Sequence, residues 1–287
     1  MRTSALVFLL AATVPALAAS EQTSRNIRVT TPDDVGIVGT YYPAESPTAP
    51  AILLLHDLGQ SRTNWAAFAT LLQENGFAAL AIDLRGHGDS NRRLTATGAE
   101  LLDAHAFVPR DFQDMLIDVN SVANWLENQP GANPSKTAVI GSGLGANLAL
   151  RYATFNEDLG ALILLSPGIN YRGLRTDDVI NKVGNVPLRV VVARFDAFAS
   201  ESAKRLVDMR KEAGHGTVGK ELWVSTGNLH GIEMISGVKT LPARLVGWLK
   251  EVLLGAPPEP VEDRLTEEAA PPPAPAPAPA ARKPGKK

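Results

Sequence analysis

The sequence predicts an α/β fold, a mostly parallel, doubly wound sheet with helices on both faces. Short apolar runs, such as residues 51–56 and 77–82, are typical of strands that are buried on both faces. Segments with apolar residues at helical spacing, such as 112–128, lie between these runs. Because strand and helix alternate along the chain, parallel β-α-β units are expected.

The individual elements follow in a regular order. Two short strands at 27–31 and 35–42, joined by a Pro-Asp-Asp turn, predict an opening antiparallel hairpin. Buried strands are predicted at 51–56, 77–82, 137–140, 161–165, 188–193 and 221–225, and helices at 65–74, 112–128, 146–155, 200–213 and 241–254. The segment between the strands at 161–165 and 188–193 is too short for a lid domain, so we expect an open pocket.

Composition bounds the classes of function. The chain has 287 residues, of which 45% are hydrophobic and 20% are charged, a balance that can bury a sizeable core. The net charge of −2 shows none of the excess of positive charge that is typical of proteins that bind nucleic acid. The absence of cysteine excludes disulfides, thiolate metal sites and cysteine nucleophiles. No two histidines have the helical spacing of metal ligands, so we predict neither a metal nor another cofactor.

The two ends of the chain differ from its middle. Residues 1–19 have a basic start, an apolar stretch and a small-x-small site, which predicts a signal peptide, with an uncleaved anchor as the alternative. Residues 20–256 form the predicted globular domain. Residues 257–287 are rich in Pro and Ala and end in basic residues, which predicts a disordered tail. We expect an exported protein, periplasmic or secreted, whose tail is either inert or contacts an anionic cell-surface polymer.

The glycine turn after the strand at 137–140 carries the most information about function. Residues 141–145 read Gly-Ser-Gly-Leu-Gly and precede an apolar helix. This is the shape of the nucleophile elbow, Gly-x-Ser-x-Gly, with Gly143 where the serine stands. If Ser142 were the apex instead, larger residues would stand where strand and helix pass closely. A plain glycine-rich turn and a phosphate-binding loop are the alternatives, but the spacing does not fit the P-loop.

Polar residues follow other strands, at the sheet edge where parallel sheets carry their active sites. Asp196 follows the strand at 188–193, and His230 follows the strand at 221–225. The order of elbow, acid and histidine is that of the α/β-hydrolase triad. With the motifs at 56–60 and 83–90, these residues make the chain resemble α/β-hydrolase-fold proteins of the dienelactone-hydrolase-like and serine-aminopeptidase-like type, from about residue 26 to 254.

The resemblance implies a role for each of these residues. Asp196 matches the triad acid and His230 the base, with the acid orienting the imidazole. Leu58 and Leu144 match the oxyanion-hole residues, which act through backbone N–H groups. Gly143 matches the nucleophile position, where the hydroxyl is missing. Without these roles, Asp196 would be a helix N-terminal carboxylate and His230 a surface histidine.

Two classes of function follow from this resemblance. The first is a secreted hydrolase-fold protein without the usual serine, inactive or vestigial toward esters, which binds a small molecule or a partner. The second is an active carboxylic-ester hydrolase that uses His230 and Asp196 with Ser142 or with an activated water. Triad knockouts in hydrolases retain only about 10³–10⁴-fold catalysis over water. We therefore expect ester hydrolysis to be lost or vestigial.

Overall fold

A computed structural model describes residues 24–216 and 221–257 of the chain. The predicted signal peptide lies outside the described residues, as does the predicted tail apart from Pro257, so both remain predictions. Within the described ranges, no helix is both long enough and apolar enough to cross a membrane.

One eight-stranded sheet organises the fold, in the order β1-β2-β4-β3-β7-β8-β11-β12. Its strands are β1 (Arg25–Thr30), β2 (Gly36–Tyr42), β3 (Pro50–Leu55), β4 (Ala78–Ile82), β7 (Asn133–Ser142), β8 (Ala161–Leu165), β11 (Leu188–Ala193) and β12 (Leu222–Ser225). Two small hairpins lie outside it, β5 (Arg92–Thr95) with β6 (Gly98–Leu101), and β9 (Asn170–Tyr171) with β10 (Leu174–Arg175). β1 and β2 pair antiparallel and β2 runs antiparallel to β4, whereas the other neighbours in the sheet are parallel.

Helices cover both faces of this sheet and bury two apolar layers. The helices are α1 (Ala66–Glu74), α2 (Pro109–Glu127), α3 (Leu144–Ala153), α4 (Ala197–Glu212), α5 (Glu233–Gly237) and α6 (Leu241–Leu254), with 3₁₀ turns at Arg62–Trp65, Ala104–Ala106 and Ile180–Val183. Helices α2, α3 and α4 pack on one face, whereas α1, α5 and α6 pack on the other. Along β3, Leu53 and Leu55 belong to the first layer and Ile52 and Leu54 to the second. The predicted doubly wound α/β fold is therefore confirmed.

The predicted boundaries differ from the observed ones where capping or polarity decides. Helix α4 begins three residues before the predicted start at 200, because Asp196 is its N-cap and its carboxylate accepts from the Ala199 N–H at 3.4 Å. The strand predicted at 137–140 lies inside the longer β7, which begins at Asn133 and ends at Ser142. The hairpin of β5 and β6 was not predicted, because its residues are mostly exposed and polar and show no burial pattern.

Candidate active site

The glycine turn forms a sharp reversal between β7 and α3. Gly143 is the N-cap of α3, with φ of 50° and ψ of −111°. This positive φ lies in the region that glycine adopts readily and other residues adopt at a cost. The Gly143 N–H donates to the Leu165 carbonyl at 2.9 Å, which fixes the turn to the neighbouring strand β8.

The two outer glycines of this turn stand where backbones touch. A Cβ on Gly141 would overlap the backbone of Gly145, and a Cβ on Gly145 would lie 2.6 Å from the carbonyl oxygen of His56. No side chain fits at either position without moving a backbone. The chain therefore needs glycine at both places for β7, α3 and the end of β3 to meet.

Asp196 and His230 converge at the carboxyl ends of β11 and β12. The Asp196 Oδ2 lies 2.6 Å from the His230 Nδ1, a short charge-assisted contact. Asp196 also caps α4, so the helix-capping alternative and the contact with the histidine hold for the same carboxylate. The His230 side chain keeps a third of its surface exposed, whereas the Asp196 side chain is 9% exposed.

A second acidic residue, Asp57, completes the site, and it was not among the predicted site residues. Its Oδ1 accepts hydrogen bonds from the backbone N–H groups of Leu58 and Leu144, both at 2.7 Å. Its Oδ2 lies 3.3 Å from the His230 Nε2. A Cβ placed on Gly143 would overlap the carboxyl group of Asp57. The carboxylate therefore fills the space above Gly143 and holds the two predicted oxyanion-hole donors.

A weak sequence signal for Asp57 did exist. The residue stands directly after the buried strand β3 and directly before Leu58, a predicted oxyanion donor. The backbone N–H of an oxyanion-hole residue binds negative charge. The carboxylate of Asp57 is a negative charge of the protein itself, directly next to such a residue. The contact with Leu144, however, joins positions 87 residues apart. Only the folded chain brings them together.

The imidazole of His230 lies between two carboxylates, which decides its protonation state. Its pKa is raised to about 9, chiefly by the hydrogen bond to Asp57. Burial opposes this shift, and the hydrogen bond to Asp196 and the charges of both acids add to it. At neutral pH the resting site therefore holds an imidazolium between Asp57 and Asp196.

Tyr171, in the short hairpin of β9 and β10, also faces Asp57. Burial raises the pKa of its hydroxyl to about 12, and the charge of Asp57 and a hydrogen bond to it add to the shift. A Cβ on Gly168 would lie 2.8 Å from Phe198 and 3.6 Å from Tyr171. The two aromatic rings thus flank Gly168 beside the site.

Ser142, the predicted alternative nucleophile, faces another way. Its side chain is buried, and its Oγ accepts from the Ile232 N–H at 2.9 Å. The Ser166 Oγ accepts in the same way from the Gly231 N–H at 2.8 Å. Among the described residues, no hydrogen bond joins Ser142 to His230. Both hydroxyls instead fasten the loop that carries His230.

The other polar residues of the strand ends have structural partners. The Asp83 carboxylate pairs with Arg62, and the Ser90 Oγ accepts from the Val38 N–H at 2.8 Å. His56 and His87 are buried with their ring centroids 4.9 Å apart. In the part of the chain that is described, no group of three or more His, Cys, Asp or Glu is arranged to hold a metal ion.

Three solved structures of similar shape are described as an esterase or a hydrolase. An esterase of Pyrococcus furiosus superposes with a TM-score of 0.62 at 18% identity, over 85% of this chain and 96% of that one. The α/β hydrolase GrgF of Penicillium gives 0.64 at 16% identity, over 81% and 99%. A dienelactone hydrolase of Anabaena variabilis gives 0.57 at 17% identity, over 80% and 98%. At such identities, these likenesses show the α/β-hydrolase fold.

Two relatives found by sequence are described only as uncharacterized proteins. An uncharacterized protein of Mycobacterium tuberculosis, Rv2307c, is 27% identical over 163 residues, which are 56% of this chain and 52% of that protein. An uncharacterized protein of Rickettsia prowazekii, RP471, is 27% identical over 140 residues, 47% and 52% of the two chains. The chain thus matches about half the length of these relatives.

A family model supplies the assignment that these relatives do not. The model described as serine aminopeptidase, S33, matches residues 46–210, which is more than half of the chain. The matched range includes the glycine turn, Asp57 and Asp196, and it ends before His230. The sequence resemblance is thereby confirmed at the level of the superfamily. The chain belongs to the serine aminopeptidase S33 family of α/β-hydrolase-fold proteins.

Proposed function

We propose that this chain is a hydrolase-fold protein that has lost serine acyl transfer, and that its site binds a small molecule instead of hydrolysing esters. The observation that carries the proposal is the position of the Asp57 carboxylate. It fills the space above Gly143, which we take as the nucleophile position, and it accepts from both Leu58 and Leu144.

An ester would have to compete with Asp57 for the oxyanion hole. In acyl transfer, the two backbone donors must reach the oxygen on which negative charge develops. Here both donors already bind one carboxylate oxygen at 2.7 Å, and such bonds to an ionised acceptor are stronger than bonds to a neutral carbonyl. An ester carbonyl therefore finds the hole occupied by a better acceptor.

The protonation state of His230 also opposes ester hydrolysis. A general base must be unprotonated at the working pH, and the pKa of His230 is raised to about 9. The short contact of Asp196 with His230 favours a second candidate function, a weak esterase in which His230 activates water above that pH. Ser142 lends this candidate no support, because its Oγ accepts from the Ile232 N–H.

The surroundings of the site suit a small, largely apolar ligand. Phe195, next to Asp196 in the sequence, and Phe198, in the first turn of α4, are 59% and 55% exposed. Phe198 and Tyr171 flank Gly168 next to Asp57. Export by the signal peptide at 1–19, and contact of the basic tail with an anionic cell-surface polymer, belong to the same proposal and rest on composition alone.

The test compares the native chain with a variant that rebuilds a serine site. Both are treated with a fluorophosphonate probe and assayed with p-nitrophenyl acetate at neutral pH. We expect neither labelling nor turnover in the native chain, and labelling at position 143 in Asp57→Gly/Gly143→Ser. Labelling of the native chain, or ester turnover at neutral pH that His230→Ala abolishes, would contradict the proposal.

A further inference from the structure

We propose that Asp57 is itself a nucleophile, and that the site hydrolyses small alkyl halides through an ester formed on the Asp57 carboxylate. This inference rests on the proposed function, because it requires a site without a serine. It deepens that function by naming the class of molecule that the site takes. The geometry around the two oxygens of Asp57 carries the argument.

The two oxygens of Asp57 have different surroundings. Oδ1 is held by the N–H groups of Leu58 and Leu144, whereas Oδ2 faces the His230 Nε2 at 3.3 Å. His230 is the more open member of the pair, with a third of its side chain exposed against 8% for Asp57. Oδ2 is therefore the oxygen that a small molecule entering beside His230 would meet.

The arrangement suits both steps of a carboxylate mechanism. Aspartate and glutamate serve as covalent nucleophiles when a partner group is placed to complete the reaction. An ester on Oδ2 would leave Oδ1 as its carbonyl oxygen, already between two oxyanion donors. His230 would stand beside the ester, oriented by Asp196 at 2.6 Å.

In the first step, a lone pair of Oδ2 forms a bond to the carbon that bears the halogen. The carbon–halogen bond breaks, and the halide departs with its electron pair. Esterification removes one of the two carboxylate charges beside His230. Because the hydrogen bond to Asp57 is the main cause of the raised pKa of His230, the imidazolium then loses its proton to solvent more readily.

In the second step, neutral His230 takes a proton from water, and the hydroxide attacks the carbonyl carbon of the Asp57 ester. Negative charge develops on Oδ1, where the N–H groups of Leu58 and Leu144 stabilise it. The alkoxide leaves with the proton from His230 as an alcohol, and Asp57 is left as a carboxylic acid. That acid gives its proton to His230, which restores the resting carboxylate and imidazolium. The balance is one alkyl halide and one water giving one alcohol, one halide ion and one proton.

The positions of the proton donors around Asp57 decide which leaving group the site can release. In a displacement at carbon, the leaving group departs on the side opposite the attacking oxygen. His230 and Tyr171, the acids next to this carboxylate in the described residues, both contact Asp57 itself and so lie on the attacking side. A leaving group that must be protonated, such as an epoxide oxygen, would need a donor on the far side, and neither His230 nor Tyr171 supplies one there. A halide needs none.

The aromatic rings of Phe198 and Tyr171, which flank Gly168, favour an apolar alkyl group. Phe198 lies in the first turn of α4, two residues after Asp196, and is 55% exposed. A short alkyl chain buries apolar surface against such rings at about 25 cal/mol per Å². We therefore use 1-bromobutane as the probe.

The experiment incubates native protein and His230→Gln with 1-bromobutane and measures bromide release and intact mass. We expect bromide release in native protein, and in His230→Gln a mass gain of one butyl group that peptide mapping places on Asp57. Asp57→Asn should show neither, whereas Asp158→Asn, at an exposed carboxylate outside the site, should behave as native. No butyl adduct in His230→Gln, or an adduct at another residue, would overturn the inference.

A second measurement uses the native protein, so it does not depend on whether a variant folds. In a single turnover in heavy-oxygen water, the heavy oxygen enters the Asp57 carboxylate, and the alcohol carries the oxygen of the protein. Heavy oxygen in the first alcohol formed would show direct attack by water and overturn the inference. If 1-bromobutane is inert and the fluorophosphonate probe is inert as well, only this inference fails. If a serine is labelled, the proposed function fails first.

Discussion

Asp57 and Gly143 share one space, because any side chain at 143 would overlap the carboxyl group of Asp57. The missing hydroxyl at the turn and the acid after β3 are thus one structural feature. The carboxylate takes over the contacts that an oxyanion would make with Leu58 and Leu144. The feature can be reversed only by changing both positions.

The first prediction follows from that shared space. Gly143→Ser alone forces a side chain into a positive φ and into the Asp57 carboxyl group, so we expect a loss of at least about 1–3 kcal/mol of stability. We expect no labelling by a fluorophosphonate in this variant. In Asp57→Gly/Gly143→Ser the space and the oxyanion hole are free, so we expect labelling. The measurements are thermal unfolding and mass spectrometry after treatment with the probe.

Two controls make this comparison sharp. Asp57→Gly alone frees the donors of Leu58 and Leu144 but supplies no hydroxyl, so it should stay unlabelled. Adding His230→Ala to the double variant should reduce labelling, because the serine then loses its base. Efficient labelling of Gly143→Ser alone would show that the Asp57 carboxylate moves aside easily, and the first prediction would be wrong.

The second prediction concerns pH. The pKa of His230 in the folded chain is about 9, above its ordinary value of 6.5. The group therefore adds stability that is fully present below pH 6.5 and is lost as pH rises through about 9. Thermal unfolding should show this loss between these pH values. In Asp57→Asn the main cause of the shift is gone, so the pKa should fall, which a proton NMR titration of His230 measures directly.

Asp196→Asn is the matched variant for this titration. It removes the other carboxylate that raises the pKa of His230, the one at 2.6 Å, so we expect the pKa to fall in this variant as well. It keeps a capping oxygen for α4 but removes a negative charge at the N-terminus of that helix, which should lower stability by about 0.3–1 kcal/mol at neutral pH. A His230 that titrates near 6.5 in the native chain would contradict both expectations.

The sequence predicted correctly the elements whose limits are set by residues at their own ends. Helix α6 has the predicted limits because Pro242 lies in its first turn and Gly255 ends it with a left-handed φ of 67°. The convergence of Asp196 and His230 followed from the rule that parallel strands gather their carboxyl ends. The role of Asp57 could not be predicted in this way. It depends on the distance between two loops, which neither loop encodes by itself.

The third prediction concerns the two serines that fasten the loop of His230. Ser142→Ala and Ser166→Ala each remove the acceptor of a buried N–H, on Ile232 and on Gly231 respectively. An unsatisfied buried group costs about 1–3 kcal/mol, and we expect a loss of that size in each variant by chemical denaturation. Ser236→Ala, on an exposed serine that bonds only within its own turn, should stay within about 0.5 kcal/mol of native. Equal stability of all three variants would show that the loop is held in another way.

The fourth prediction concerns the close approach of β3, β7 and α3. Gly145→Ala would place a methyl group against the backbone carbonyls at the end of β3, and Gly141→Ala would place one against the start of α3. Overpacking of this kind costs about 1–3 kcal/mol or more, and it outweighs the gain of about 1 kcal/mol that alanine brings over glycine inside a helix. We expect both variants to unfold at lower denaturant concentration than native protein. Gly36→Ala is the control, because the methyl group there meets only the end of the flexible Arg28 side chain, which moves aside at little cost. If Gly145→Ala were as stable as this control, the backbones at the turn could separate without loss, and the register that places Gly143 beneath Asp57 would lose its structural basis.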